Sequence, residues 1–301
     1  MTLRIGIDLG GTKTEVVAID DVSGEIKFKE RRPTPKNYEG TIKNMADLVF
    51  AADEAIKEKA SVGISMPGAL STRTGLVKNA NSTWIIGHPI DKDLAKVISR
   101  PVKVMNDANC LALSEAKAGA GRGADVVWAV IIGTGSGSGI YAFGNLINGR
   151  HAIGGEWAHS TLPFCTDLSE YNGHECYCGK KGCIETFVSG PALEKDYLKT
   201  TGKKAFCTEI AELADAGDSA AEEVMQRYED RLARGFAGVI NVLDPDVIVL
   251  GGGVSKIERL YKNLPDLLNK YAFSDFVDTP IVKAEFGDSS GVFGAARLWQ
   301  D

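Results

Sequence analysis

Cysteine is scarce in this sequence, with six residues in a chain of 301. Secreted domains that depend on disulfides are usually short and rich in cysteine, so this composition does not favour a disulfide scaffold. No apolar run reaches the length of a membrane span, and the first residues, Met1 to Asp8, lack the pattern of a signal peptide. We therefore expect a chain of the reducing cytoplasm, where thiolates stay available to bind a metal.

Positive charge is also in short supply. The sequence has 34 Lys and Arg against 40 Asp and Glu, for a formal net charge of −6 at pH 7. A negative balance argues against nucleic acid and against anionic membranes as partners. The 44% hydrophobic and 25% charged fractions are ordinary for a globular protein, and the length suits two domains better than one core.

Three of the six cysteines form a cluster. Cys176, Cys178 and Cys183 lie within eight residues, and His159 precedes them. Three thiolates and one imidazole complete a tetrahedral zinc shell, which predicts a structural ion because no position is left for water. Disulfides are the alternative, but the CxC spacing is poor for one. His174, two residues before Cys176, is a rival fourth ligand; we favour His159 because a structural site gains from one distant ligand.

A carboxylate lies beside each end of this cluster. Glu156 precedes His159 by three residues, and Glu185 follows Cys183 by two. Most glutamates are simply exposed on a surface, which is the alternative here. However, a metal site that fixes two acidic side chains would build a rigid polar pocket. Such a pocket suits a small, hydroxyl-rich substrate, because carboxylates accept hydrogen bonds from a polyol.

Glycine-rich turns follow three of the apolar segments. Glycine lets the backbone fold tightly, so that successive N–H groups can face a phosphate. Neither of the first two turns matches the P-loop pattern GxxxxGK[ST] or fits the dinucleotide fingerprint, which opens a helix. Ordinary hairpin turns are the alternative, but the repeated composition after apolar strands favours phosphate. The candidate nucleotide-binding residues are Asp8, Gly10, Gly11, Thr12, Lys13, Gly133, Thr134, Gly135, Gly251, Gly252 and Gly253.

The residues of these turns differ in what they offer. In the first turn Thr12 adds a hydroxyl and Lys13 adds a cation, and Asp8 could hold Mg²⁺ through water because hard cations prefer carboxylate oxygens. The second turn, which we expect to extend to Gly139, repeats the glycine chemistry. The third would let a nucleoside ring approach the backbone.

The order of predicted elements is that of an α/β protein. Short apolar strands end in the glycine turns, and stretches of helical periodicity such as 38–59 follow. This pattern starts near residue 3 and again near residue 124, which predicts two α/β lobes of related design with a cleft between them. We assign 1–117 and the last helix, about 290–301, to a small lobe, and 118–289 to a larger lobe with the zinc-binding loop.

Together these motifs resemble the ROK family (repressors, open reading frames, kinases) of the hexokinase and actin-like ATPase superfamily. One departure is Ala158, where the family usually has Gly. The resemblance implies a two-lobed, ribonuclease-H-like fold with structural zinc, and transfer of a phosphoryl group from ATP, with Mg²⁺, to a sugar hydroxyl. The segments that carry it are Asp8–Lys13, Met66–Gly68, Asn106–Asn109, Gly133–Gly135, Gly155–His159, Cys176–Glu185 and Gly251–Gly253.

Asp107 is the expected catalytic base. Phosphoryl transfer needs a group that orients and deprotonates the attacking hydroxyl, and Asp107 follows a strand and begins a predicted helix. A helix cap is the alternative for Asp107, and equally for Asn106. His159 could bind zinc through one ring nitrogen and the sugar through the other. The expected sugar-binding residues are Pro67, Gly68, Asn81, Asn106, Asp107, Glu156, His159 and Glu185.

Within the family, three segments are most similar to bacterial fructokinases of the mannofructokinase type: Val77–Trp84, Asn106–Cys110 and Asp288–Val292. They imply a fructokinase that converts D-fructose to fructose 6-phosphate. N-acetylglucosamine, mannose and glucose stay open as alternatives. So does a non-catalytic, sugar-responsive regulator, although a strand that starts at Leu3 leaves no room for the helix-turn-helix of the family's repressors. A homodimer is compatible with the family, but the sequence does not fix the oligomeric state.

Overall fold

The computed structural model describes residues 2–299. The chain divides into two compact units. The first comprises residues up to Gly123, Gly139–Gly154 and the residues from Asp288 onward; the second comprises Ala124–Ser138 and Gly155–Gly287. The lobes predicted from the sequence divide at 117/118 and about 290. The structure differs mainly in grouping 139–154 with the first unit.

The strands within residues 2–299 are β1 (Leu3–Leu9), β2 (Lys13–Asp20), β3 (Ile26–Pro33), β4 (Ser61–Met66), β5 (Ala69–Leu70), β6 (Val77–Lys78), β7 (Val102–Asn106), β8 (Val126–Ile132), β9 (Ser136–Ala142), β10 (Asn145–Leu146), β11 (Val247–Gly251) and β12 (Ile281–Lys283). The α-helices in the same range are α1 (Tyr38–Ile56), α2 (Ile90–Ile98), α3 (Asp107–Ala118), α4 (Leu168–Asn172), α5 (Glu185–Val188), α6 (Gly190–Thr201), α7 (Cys207–Asp215), α8 (Ser219–Leu243), α9 (Arg259–Tyr271) and α10 (Ser290–Ala296). No helix among these residues is both long enough and apolar enough to cross a bilayer.

The sheet of the first unit has the order β3-β2-β1-β4-β7. Strands β1, β2 and β3 pair antiparallel, whereas β1–β4 and β4–β7 are parallel. Helix α10 packs closely on the sheet because two strand positions have no side chain. A Cβ added at Gly6 would lie 2.1 Å from the carbonyl oxygen of Val292, and one at Gly63 would lie 2.0 Å from that of Ala295.

The second five-stranded sheet has the order β10-β9-β8-β11-β12, which repeats the arrangement of the first. The recurring sequence pattern predicts this relationship. Strands β8, β11 and β12 are parallel neighbours, so their carboxyl ends lie at one edge. The turn that begins at Gly133 follows β8, and the turn that begins at Gly252 follows β11, so both lie at that edge.

Three aromatic rings form a buried cluster in the second unit. Trp128 of β8, Trp157 and Phe236 of α8 pack edge to face, with ring centroids 4.9–5.5 Å apart. Gly235 makes room for Trp157, since a Cβ there would lie 2.8 Å from the indole. Trp157 is the anchor that holds the short 3₁₀ turn carrying His159 against the core.

The predicted glycine loop from Gly133 to Gly139 was too long, because β9 already begins at Ser136. Alternate residues of this segment point to the core: Ser138 Oγ accepts a hydrogen bond from the Trp128 indole N–H over 2.7 Å and donates to the carbonyl oxygen of Gly155 over 2.7 Å. These partners let a Ser-Gly repeat run as a buried strand, so only Gly133–Gly135 form the turn.

Candidate active site

The first glycine turn joins β1 to β2. The Gly10 N–H donates to the carbonyl oxygen of Lys13 over 3.0 Å, and a Cβ at Gly10 would lie 2.8 Å from that oxygen. The turn therefore requires glycine at this position. Thr12 and Lys13 are exposed at its tip, where their hydroxyl and ammonium groups can meet a ligand.

Asp8 lies one residue before the end of β1 and is paired in register with Ser65 of β4. The Ser65 hydroxyl donates to Asp8 Oδ1 over 2.7 Å. Burial raises the pKa of Asp8 to about 6, although the Ser65 hydrogen bond opposes this change. The lack of a side chain at Gly291 leaves room for this hydrogen-bonded pair, since a Cβ there would lie 3.0 Å from Asp8 Oδ1 and from Ser65 Oγ.

Asn106 and Asp107 lie at the junction of β7 and α3. Asn106 is the helix cap, because its side chain accepts a hydrogen bond from the Ala108 N–H over 2.9 Å. Its amide also donates to the Gly68 carbonyl oxygen over 3.2 Å. Asp107 is the first residue of the helix and is partly buried. Its Oδ1 accepts a hydrogen bond from the same Ala108 N–H that donates to Asn106. The capping alternative therefore describes Asn106, whereas Asp107 duplicates a bond that the cap already provides.

The Pro67-Gly68 turn is held by the hairpin of β5 and β6. Gly68 has a φ of 77°, and a Cβ there would lie 2.3 Å from the Lys78 carbonyl oxygen, so no other residue fits. The structure thus places Gly68 next to Asn106, another of the predicted sugar-binding residues. Asn81 lies beyond the end of β6, where it is exposed.

In the second unit, the turn after β8 contacts one of the predicted sugar-binding acids. Glu185 Oε2 accepts a hydrogen bond from the Ser136 N–H over 2.9 Å, and a Cβ at Gly135 would lie 2.7 Å from the same oxygen. Gly133 donates its N–H to the Gly135 carbonyl oxygen over 2.9 Å, which closes the turn. The absence of a side chain at Gly135 therefore serves the approach of Glu185 as well as the turn.

The third turn packs against the end of β8. Gly252 has a φ of 84°, and a Cβ there would lie 2.4 Å from the carbonyl oxygen of Ile132. A Cβ at Gly133 would lie 3.9 Å from the N atom of Gly253, so the second and third turns are neighbours. Two of the three predicted nucleotide-binding turns are therefore neighbours. Thr134, in the second turn, is exposed to solvent.

The four side chains predicted to bind zinc lie together. Ligand atoms of His159, Cys176, Cys178 and Cys183 all lie within 4.8 Å of one another. Cys178 Sγ is 3.6 Å from Cys183 Sγ, and Cys176 Sγ is 3.6 Å from His159 Nδ1. A disulfide needs sulfurs about 2.05 Å apart, so these thiols are not bridged.

The same distances suit a metal ion. Ligands at about 2.0–2.3 Å from a tetrahedral zinc lie roughly 3.5–3.8 Å from each other, so the spacing of the four side chains fits. His174, the rival ligand, does not join the cluster; its ring packs against Phe187 with centroids 5.0 Å apart. The residues present fit a structural zinc ion with His159 bound through Nδ1.

Tyr177 is the residue that the sequence reasoning missed. Its hydroxyl lies 3.0 Å from His159 Nε2, the ring nitrogen that faces away from the thiols. Glu156 is exposed beside it, with Oε2 3.9 Å from the same Nε2. Burial, then the charges of Glu185 and Glu156, raise the pKa of Tyr177 to about 12, so the phenol stays protonated. Its place between two predicted ligands was the available signal.

The chain that leads to the cysteines is anchored by a buried ion pair. Arg234 of α8 donates to both carboxylate oxygens of Glu170, over 2.8 and 2.9 Å, and to the Phe164 carbonyl oxygen over 2.9 Å. Burial alone would raise the pKa of Glu170, but hydrogen bonds from Arg234 and Arg231 lower it to about 2. The segment before the metal cluster is therefore fixed to the longest helix of the unit.

The chain is similar to known proteins over nearly its whole length. Residues 4–301 match the profile of the ROK family. An N-acetyl-D-glucosamine kinase of Vibrio atlanticus is 37% identical over an alignment of 299 residues, which covers 97% of this chain and 98% of that protein. A ROK hexokinase from Thermus thermophilus has a TM-score of 0.86 at 30% identity, covering 98% and 97% of the two chains. A ROK family glucokinase from Streptomyces griseus, solved with glucose and AMPPNP, has a TM-score of 0.79 at 26% identity and covers 98% of each.

Proposed function

This chain belongs to the ROK family, and on that premise we propose that it transfers the γ-phosphoryl group of ATP to a hydroxyl of a hexose or N-acetylhexosamine. One observation supports this most directly. Glu185 accepts a hydrogen bond from the backbone N–H of Ser136, which follows the second glycine turn. It also lies two residues after Cys183, one of the four residues that fit a zinc ion. A predicted sugar ligand and a predicted phosphate turn are therefore adjacent within one unit.

N-acetylglucosamine is the first substrate that we propose. The Vibrio atlanticus relative, which has the highest identity of the three proteins named above, carries that sugar in its name, at 37% identity over nearly the whole chain. The preference for D-fructose that three sequence segments suggest has no support from these relatives. N-acetylglucosamine was among the alternatives that the sequence left open.

We assign the chemistry as follows. Asp107 accepts the proton of the attacking sugar hydroxyl while the oxygen of that hydroxyl forms a bond to the γ-phosphorus of ATP. The bond between the γ-phosphorus and the oxygen of the β-phosphate breaks, and ADP is released. Asp8 would hold Mg²⁺ through water, and the ion would supply positive charge next to the phosphates. His159, Cys176, Cys178 and Cys183 would hold zinc, which would keep the His159 ring in one orientation. The residues that we propose to bind the sugar are Pro67, Gly68, Asn81, Asn106, Glu156, His159 and Glu185.

The backbone turns are proposed to bind the nucleotide. Thr12 and Lys13 present a hydroxyl and a cation at an exposed turn, and both groups suit a phosphate. The second and third turns, which lie together, offer backbone N–H groups without side chains. We propose for this role Asp8, Gly10, Gly11, Thr12, Lys13, Gly133, Thr134, Gly135, Gly251, Gly252 and Gly253.

A coupled assay of ADP release tests the proposal. ATP and Mg²⁺ are supplied with N-acetylglucosamine, glucose, mannose or fructose, and a reaction without sugar measures hydrolysis alone. We expect sugar-dependent ADP release, fastest with N-acetylglucosamine. Release that no sugar stimulates would overturn the kinase assignment and favour the sugar-responsive regulator. Faster release with fructose would keep the kinase and restore the original substrate prediction.

A further inference from the structure

Tyr177 occupies the one ring nitrogen of His159 that faces away from the thiols. Its hydroxyl lies 3.0 Å from Nε2, and the two rings pack edge to face, with centroids 5.3 Å apart at 82°. Nδ1 is directed to Cys176, at 3.6 Å from Sγ. The Tyr177–His159 contact therefore uses the nitrogen through which His159 is proposed to bind sugar.

The backbone of Tyr177 is held while its side chain is not enclosed. Gly179 donates its N–H to the Cys176 carbonyl oxygen over 3.0 Å, and Cys176 donates to the Lys180 carbonyl oxygen over 2.9 Å. These bonds form a tight turn with Tyr177 at its second position. The Tyr177 residue is nevertheless 75% exposed, so its phenol can rotate about a fixed Cα without disturbing the core.

The phenol and a sugar hydroxyl would compete for this position. Each imidazole nitrogen carries either one N–H or one lone pair in the ring plane, so it makes one well-aligned hydrogen bond at a time. The phenol oxygen and a sugar hydroxyl are chemically equivalent partners for it. Glu156, with Oε2 3.9 Å from Nε2, lies close enough to accept a hydrogen bond from another hydroxyl of the same sugar.

We propose that Tyr177 is a specificity-determining residue of the proposed sugar site: its hydroxyl occupies the hydrogen-bonding position at His159 Nε2 in the free protein, and one sugar hydroxyl replaces it on binding. This inference rests on the proposed function. A sugar without a hydroxyl at that point leaves the phenol on His159 and lacks this contact, so the site favours sugars that carry the hydroxyl.

The test is Tyr177→Phe, which removes the competing hydroxyl and keeps the ring. We expect the dissociation constant of the best sugar, measured by titration calorimetry, and its KM to fall about two- to tenfold, the value of one neutral hydrogen bond. Tyr171→Phe is the matched control, because Tyr171 is 81% exposed in the same unit and lies outside the cluster. It should change neither constant.

A series of deoxy analogues of that sugar completes the test. The gain in affinity from Tyr177→Phe should vanish for the single analogue that lacks the hydroxyl facing His159 and persist for the others. An unchanged or weaker affinity in Tyr177→Phe, or a gain that every analogue retains, overturns the inference while leaving a working kinase. Absence of sugar-dependent ADP release in the unsubstituted protein overturns the proposed function and this inference with it.

Discussion

The Ser65 hydroxyl is hydrogen-bonded to Asp8 Oδ1 over 2.7 Å, and these two residues are paired across parallel strands β1 and β4. The pair lies beneath the first glycine turn. One hydrogen bond does not offset the burial of the carboxylate, since the pKa of Asp8 is still raised from 3.8 to about 6. The proposed magnesium-binding group is thus held in a conformation that disfavours its own charge.

Asp8→Asn should therefore stabilise the fold while impairing the reaction. The folded pKa lies above the unfolded value, so the stability contributed by protonated Asp8 is complete below about 3.8 and is lost as pH rises through about 6. At pH 8 the charged group costs at most about 3 kcal/mol. We expect urea denaturation to show a gain for Asp8→Asn that is larger at pH 8 than at pH 5.

The control for this prediction is Glu54→Gln, which removes an exposed acid from α1. It should leave the free energy of unfolding nearly unchanged at both pH values. A gain for Asp8→Asn that is equal at pH 5 and pH 8 would contradict titration of Asp8 near 6.

Asp107→Asn separates the proposed catalytic role of Asp107 from helix capping. Both Asp and Asn can accept the Ala108 N–H at Oδ1, and Asn106 caps the helix independently. The substitution should leave thermal stability unchanged and lower turnover about 10²- to 10⁴-fold, the usual contribution of a general base. Sugar binding by calorimetry should stay measurable. Turnover within tenfold of the unsubstituted protein would remove Asp107 as the base.

The parts of the site that the sequence predicts are those set by local spacing. The hairpin at Gly10–Thr12 follows from glycines between two apolar runs, and the metal cluster follows from ligand spacing. Helix α2 was missed, because only Ile90, Leu94 and Ile98 mark its buried face. The contact between Tyr177 and His159 was missed for another reason. It depends on the tight turn from Cys176 to Gly179, and the residue type alone does not predict where the phenol lies.

Cys178→Ser tests the metal cluster. Serine is a poor zinc ligand, so the variant should lose zinc, measured by elemental analysis of the purified protein. We expect the Tm to fall by roughly 5–10 °C, a loss of about 2–3 kcal/mol, because the proposed ion would join the turn that carries His159 to the turn that carries Cys176 and Cys178. Sugar affinity should fall about tenfold or more as His159 loses its fixed orientation.

Cys165→Ser is the matched control for that experiment. Cys165 lies outside the cluster, and its thiol donates to the Leu162 carbonyl oxygen over 3.3 Å, a bond that a serine hydroxyl can replace. Zinc content and sugar affinity should stay as in the unsubstituted protein. Zinc loss in Cys178→Ser with unchanged sugar affinity would show that the ion does not position the sugar-binding side chains.

Arg234 and Glu170 supply the last prediction. They are 64 residues apart in sequence and almost fully buried, so either substitution alone leaves a buried charge without its bidentate partner. Arg234→Met should cost about 3 kcal/mol in the free energy of unfolding, and Glu170→Met a similar amount. The double variant should recover most of the loss, because it removes both buried charges while the neighbouring Arg231 and Asp230 keep hydrogen bonds to Asp196 and Tyr271. Arg227→Met, whose side chain is 31% exposed, should cost less than about 1 kcal/mol. Strict additivity of the two single losses would show that the pair does not act as a unit.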